Sequence, residues 1–175
     1  MENLIEKARL FAALAHSGQV RKYTGESCLN HCKEVVSILE EHDIRDPEMI
    51  AAAWLHDTIE DALLTREDLT MLLEEHDVIS LVVELTHIAR PEDGNRAERK
   101  AKDRSWLANA SARAQTIKCA DIISNTISIV ERDPKFAKIY IPEMRLLLKV
   151  LKFKADPGLW ERASSIVAKA EQKLL

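Results

Sequence analysis

Four ionisable side chains end an apolar run in Ala51-Ala52-Ala53-Trp54-Leu55-His56-Asp57-Thr58-Ile59-Glu60-Asp61. Charges set beside buried surface need partners or a metal. On a helix, His56 and Glu60 stack on one face and Asp57 pairs with Asp61, while the tips of adjacent His56 and Asp57 still reach one ion beside the helix. A second segment, 117–130, is largely apolar, yet Asp121, Asn125 and Ser128 fall at i, i+4 and i+7 and form one polar stripe. An ionised aspartate in such a setting is costly unless it is paired or coordinated. A third segment, Asn30-His31-Cys32, opens a helix that follows a loop. Plainer readings exist for each: a solvated helix end with a His–Glu pair, a polar network between helices, a packed histidine. Taken together, two imidazoles (His31, His56) and two carboxylates (Asp57, Asp121) make a mixed nitrogen–oxygen donor set for one Mn²⁺, Fe²⁺ or Zn²⁺ ion.

Such a set must be held by elements far apart in the chain, and the periodicity is helical throughout. The spacing predicts helices over 2–17, 28–42, 47–61, 65–75, 78–89, 94–109, 112–131, 134–154 and 157–174. Asp46-Pro47, Asp133-Pro134 and Asp156-Pro157 each offer a capping aspartate followed by proline at the first helical position. Thr65-Arg66-Glu67-Asp68 is a capped start with acids in the first turn. The main irregular pieces are 18–27 and 90–95. Glu-Glu-His-Asp recurs at 40–43 and 74–77 without repeating flanks, and reads as two similar helix ends. The expectation is one all-α domain spanning 1–175.

With 46% hydrophobic residues in 175, the chain can bury a substantial core without staples. A net charge of -4 argues against a nucleic-acid binder, whose affinity comes mainly from Lys and Arg on phosphates. No apolar stretch approaches the roughly 20 residues that span a bilayer. The N-terminal order Met1-Glu2-Asn3-Leu4-Ile5-Glu6-Lys7 is not that of a signal peptide. Three cysteines, Cys28, Cys32 and Cys119, fit a reducing compartment, and Cys28 and Cys32 lack the second pair that a zinc site would want. The expectation is a cytoplasmic protein without nucleic-acid or membrane partners.

His31, His56-Asp57 and Asp121 match the H…HD…D pattern of the HD superfamily. The match narrows with His16-x-Gly18-Gln19-x-Arg21-Lys22-Tyr23-Thr24-Gly25-Glu26, Asn30-His31, His56-Asp57-x-x-Glu60-Asp61 and Ala120-Asp121-x-x-x-Asn125. This ordered set resembles the hydrolase domain of RelA/SpoT alarmone enzymes and the stand-alone small alarmone hydrolases, over roughly residues 5–150. The resemblance implies an HD-type helical bundle and an Mn²⁺-dependent 3′-pyrophosphohydrolase acting on a small nucleotide such as ppGpp. It implies His31, His56, Asp57 and Asp121 as metal ligands, and Glu60 and Asp61 as the pair that activates and orients the attacking water. It also implies nucleotide contacts from Arg21, Lys22 and Asn125, phosphate contacts from Arg99 and Lys100, and a further one from Arg145. The plainer reading of Arg96, Arg99, Lys100, Lys102 and Arg104 is a solvated helix face alternating with Glu98 and Asp103.

Three features depart from the family's pattern. The segment Ser27-Cys28-Leu29-Asn30-His31-Cys32 lacks the aromatic lead and proline usual around the first histidine. The loop between Lys22 and His31 is one residue shorter than in the metazoan type, and His87 stands where relatives often carry aspartate. They spare the metal ligands and bear on the substrate. The alternatives are a phosphatase for another nucleotide, such as the 2′-phosphate of NADPH, and a catalytically silent nucleotide-binding module. The latter would be free to lose Glu60 and Asp61, which this chain has. The resemblance stops at the hydrolase region and implies no synthetase half.

Overall fold

Every residue from Met49 to Leu55 is apolar, and every one is buried. A helix hydrophobic all round belongs inside a core rather than on its surface, and this segment is the central helix of the first of two compact units, Met1–Thr86 and His87–Leu175. The structure, a computed structural model, describes residues 2–21, 25–61 and 64–174. Among them the regular elements are helical, and the only strand-like pairing is an isolated bridge between Val20 and Ser27.

The first unit contains α1 (Glu2–Ala15), α2 (Cys28–Glu41), α3 (Pro47–Leu55), α4 (Thr58–Asp61), α5 (Arg66–Leu73) and α6 (His76–Leu85). Helix α3 packs against α1, α2 and α6. Its neighbours present Ala8 and Ala12, Val35 and Leu39, and Val78 and Val82, all fully buried. Asp46 caps α3 by accepting hydrogen bonds from the amides of Glu48 and Met49, ahead of Pro47. Thr65 and Asp68 close the expected capping box on α5.

Two helices stop four or more residues short of the expected bounds, at Leu55 and at Leu85. The one expected over 47–61 breaks after Leu55, leaving His56-Asp57 as a turn before α4. His56 Nδ1 lies 2.8 Å from the Ala53 carbonyl, and Thr58 Oγ1 donates to the Leu55 carbonyl at 2.6 Å. These are acceptors the helical ladder would otherwise offer to Asp57 and Ile59, so side chains compete with the backbone here. The helix expected over 78–89 is α6, and it stops at Leu85 because Thr86 turns extended.

The second unit contains a short 3₁₀ turn (Pro91–Asp93), α7 (Arg96–Asn109), α8 (Ala112–Arg132), α9 (Pro134–Leu151) and α10 (Pro157–Leu174). Helix α8 packs on α9 and α10, and α9 also contacts α7. Ile117, Ile122, Ile123, Leu151, Leu159 and Ala163 are its innermost residues. No described helix is long and apolar enough to cross a membrane.

Candidate active site

In the first unit the break after α3 brings three ligand-type side chains together. His31, on the first turns of α2, and His56 are both buried. Their Nε2 atoms lie 3.2 Å apart, and Asp57 Oδ2 is 3.2 Å from His56 Nε2 and 3.6 Å from His31 Nε2. The Ala53 carbonyl can only accept, so His56 Nδ1 carries the proton. In the neutral ring, Nε2 is then a bare lone pair facing a second imidazole and a carboxylate. Lone pairs gathered this way repel one another unless a proton or a cation lies among them. Two imidazole nitrogens and a carboxylate oxygen are the donor chemistry of a first-row divalent cation, and these residues fit one.

Beyond this turn, α4 carries Glu60 and Asp61. Crowding by protein, and then the neighbouring carboxylates of Asp57 and Glu60, raise the Asp61 pKa above the usual aspartate range; His16 and His56 act the other way. The end of α4 is tied to the loop after α1, where Gln19 Nε2 donates to the Asp61 carbonyl at 2.8 Å. The same loop carries Arg21, whose side chain is largely buried and lies 3.7 Å from Glu34 Oε2. Arg21 is further fixed by its amide donating to the Glu26 carbonyl at 2.7 Å. Lys22, implied as its partner on the substrate, lies outside the described residues.

In the second unit a cavity of about 230 Å³ is lined by one stripe from each of three helices. Helix α7 supplies Arg96, Lys100, Asp103, Arg104 and Leu107; α8 supplies Lys118, Asp121, Asn125 and Ile129; α9 supplies Phe136, Tyr140, Glu143, Met144 and Leu147. His87 completes the wall. Asp121 is buried and is paired within its own helix: Lys118 Nζ is 2.7 Å from Oδ2, and Asn125 Nδ2 donates to Oδ1 at 2.5 Å. Arg96 makes a two-pronged bond to Glu143, at 2.7 and 2.9 Å, and its guanidinium lies 5.3 Å from the centre of the Phe136 ring. Burial pushes the Lys100 pKa down; Lys118 and Arg96 add to this, while Asp103 and Glu143 oppose it. Cationic side chains over an aromatic and aliphatic floor can hold phosphate at one end and a planar ring at the other.

The sequence-derived residues divide unevenly between these settings. His31, His56 and Asp57 come together, and Lys100, Asp121 and Asn125 line the cavity. Arg99 does not line it; its guanidinium donates to the Gly94 carbonyl at 2.6 Å and closes the start of its own helix. Arg145 is exposed, faces Glu171 at 3.5 Å, and borders a different hollow with Leu148 and Trp160. Lys102 is on the solvated face, paired with Asp93, but Arg96, Asp103 and Arg104 belong to the cavity. Lys118, Phe136 and Tyr140 went unnoticed in the sequence. Lys118 had a signal, standing three residues before a buried aspartate on the same helix, whereas the aromatics of α9 look like ordinary core residues.

The HD-domain family model matches residues 8–135. A GTP pyrophosphokinase of Myxococcus xanthus is 35% identical over 128 residues, covering 70% of this chain and 17% of that protein. A probable GTP diphosphokinase of Arabidopsis thaliana, the chloroplastic RSH3, is 31% identical over 141 residues, covering 75% of this chain and 19% of that protein. The chain thus spans about a fifth of the length of these curated relatives. A solved metazoan ortholog of SpoT, described as hydrolysing ppGpp, superposes with a TM-score of 0.84 at 27% identity, covering 98% of this chain and 97% of the other. A Listeria monocytogenes protein shares the fold, with a TM-score of 0.68 at 20% identity, covering 86% of this chain and 99% of the other. Together with the His31, His56 and Asp57 cluster, the family match places this chain in the HD-domain family.

Proposed function

We propose that this HD-domain, metal-dependent phosphohydrolase removes the 3′-pyrophosphate of guanosine alarmones such as ppGpp, with Mn²⁺ as its cofactor. The observation that carries the reading is the likeness, over nearly the whole of both chains, to a protein that hydrolyses ppGpp. The family match runs from residue 8 to residue 135, across the junction after Thr86, which supports treating both units as parts of one hydrolase domain.

His31, His56 and Asp57 would hold the cation, and the H…HD…D order assigns Asp121 as a further ligand. When bound, a divalent cation polarises a phosphoryl oxygen and lowers the pKa of water. Glu60 accepts the proton of the attacking water, and Asp61 orients that water. The water oxygen bonds to the phosphorus next to the ribose as the bond to the 3′ oxygen breaks. The 3′ oxygen takes up a proton, leaving GDP and pyrophosphate. Arg21, Lys22 and Lys100 bind the phosphates, and Asn125 contacts the nucleotide. The substrate is thus a small anionic nucleotide, which suits cationic residues gathered in an otherwise acidic chain.

The test offers purified protein with Mn²⁺ both ppGpp and NADPH in parallel, and measures pyrophosphate and phosphate release separately. Pyrophosphate from ppGpp supports the reading. Phosphate from NADPH alone would replace it with the 2′-phosphatase alternative, and nucleotide binding with neither product would indicate a silent module.

A further inference from the structure

Helix α7 is rich in charge, and Asp103 is its one buried charged residue. An ionised carboxylate is retained in such a place only with its oxygens satisfied. Oδ1 accepts two hydrogen bonds from the backbone, the Ile88 amide at 3.0 Å and the Ala89 amide at 2.9 Å. These two amides belong to the extended stretch after α6, where no helical ladder is available to them. Oδ2 lies 3.9 Å from Lys100 Nζ, one turn back on α7. His87, Lys100 and Asp103 all line the same cavity. One carboxylate therefore fixes a backbone segment along the wall and faces a cation that lines the same space.

We infer that Asp103 is a positioning residue for anion binding: it pins the His87–Ala89 segment to the cavity wall and holds Lys100 where a phosphate is received. Nothing in the proposed chemistry uses Asp103 directly, and the inference rests on the reading of this cavity as the phosphate-binding part of the hydrolase. A carboxylate in an anion site repels the ligand unless it earns its place through its neighbours. Asp103 does so through two: the amides at 88 and 89, which no other described group satisfies, and the ammonium of Lys100. Burial disfavours the charged form of Lys100, and Asp103 works against that.

Asp103→Asn and Asp103→Ala separate the two tasks. The asparagine oxygen can still accept both amides, but its NH₂ turns a donor toward Lys100. Asp103→Asn is expected to keep the Ile88 and Ala89 amides protected from hydrogen exchange and to keep the Tm near wild type. Its affinity for inorganic pyrophosphate, measured by calorimetry, should fall about tenfold, and with ppGpp the loss should appear as a raised KM with little change in kcat. In a Lys100→Met background the same substitution should make no further difference to pyrophosphate binding, because the coupled partner is gone. Asp103→Ala should in addition expose the two amides to exchange.

Unchanged or tighter pyrophosphate binding by Asp103→Asn would overturn the inference, as would an equal loss with and without Lys100. Amides 88 and 89 that stay protected in Asp103→Ala would overturn the pinning. If the wild-type protein binds pyrophosphate but does not hydrolyse ppGpp, the proposed substrate fails, while the binding and exchange measurements still decide the role of Asp103.

Discussion

Gln19 Nε2 donates a 2.8 Å hydrogen bond to the main-chain carbonyl of Asp61, while the Oε1 of the same amide lies 2.8 Å from His16 Nδ1. His16 is only 2% exposed, so a buried imidazole sets which way the amide points. The amide in turn holds the end of the short helix that carries Glu60 and Asp61. A neutral hydrogen bond of this kind contributes about 1 kcal/mol. Gln19→Ala should therefore loosen the end of α4 and lower kcat, with KM and bound metal unchanged in steady-state kinetics and metal analysis. A lower Tm with kcat intact would reduce the contact to a staple of the fold.

Glu60 is assigned the proton of the attacking water. Glu60→Gln keeps size and reach but removes basicity, so kcat should fall by about 10²–10⁴, while metal content and nucleotide binding persist. Loss of the metal would make Glu60 a ligand, and full activity would move the base to Asp61.

Chelation should abolish hydrolysis, and added Mn²⁺ should restore it. His31→Ala and Asp57→Ala each remove one of the converging donors, and Asp121→Ala removes the donor assigned by the motif order. All three should weaken metal affinity in titrations followed by elemental analysis. Unchanged affinity in Asp121→Ala would remove it from the ligand set.

Arg21 is held by its own backbone bonds and by Glu34, in a loop latched to Asp61 through Gln19. Replacing Arg21 and Lys22 with alanine should raise KM strongly and lower kcat less, if both bind ground and transition states alike. An unaltered KM would exclude them from the substrate site.

Lys100 has a lowered pKa, caused first by burial. Its charged form is therefore disfavoured in the folded state relative to the unfolded chain. The penalty is present below the lowered folded pKa and is relieved as pH rises from there toward the unfolded value near 10.5. Lys100→Met should raise the Tm at neutral pH, with the difference narrowing in alkaline solution, while substrate affinity falls. An equal Tm gain across that range would show that packing, not charge, is the source.

Much of the helical frame was legible because its signals are local. Asp46-Pro47 and Thr65 through Asp68 mark starts that the structure keeps, and of the polar stripe Asp121, Asn125 and Ser128 the first two line the cavity while Ser128 does not. The break after Leu55 was not legible, since it depends on His56 and Thr58 taking carbonyls from the ladder, a competition that composition does not reveal. Charge pattern also failed to rank the cations of α7. Lys102 and Arg99 differ from Lys100 and Arg96 only in which face they occupy, and burial of Asp103 was the observation that told those faces apart.

The burial of Met49–Leu55 on every side has a consequence for the backbone that leads into His56 and Asp57. Helices that face water fray at their ends in small, frequent openings, whereas a segment like Met49–Leu55 opens only when the surrounding core does. His56 and Asp57 follow directly on that segment, and the His56 ring is hydrogen-bonded back to Ala53 within it. The backbone that carries these two donors is therefore held as firmly as the core of the first unit. A ligand that binds only the closed form stabilises it in proportion to its occupancy, so amides of Ala51, Ala52 and Ala53 should exchange more slowly as the cation is titrated in.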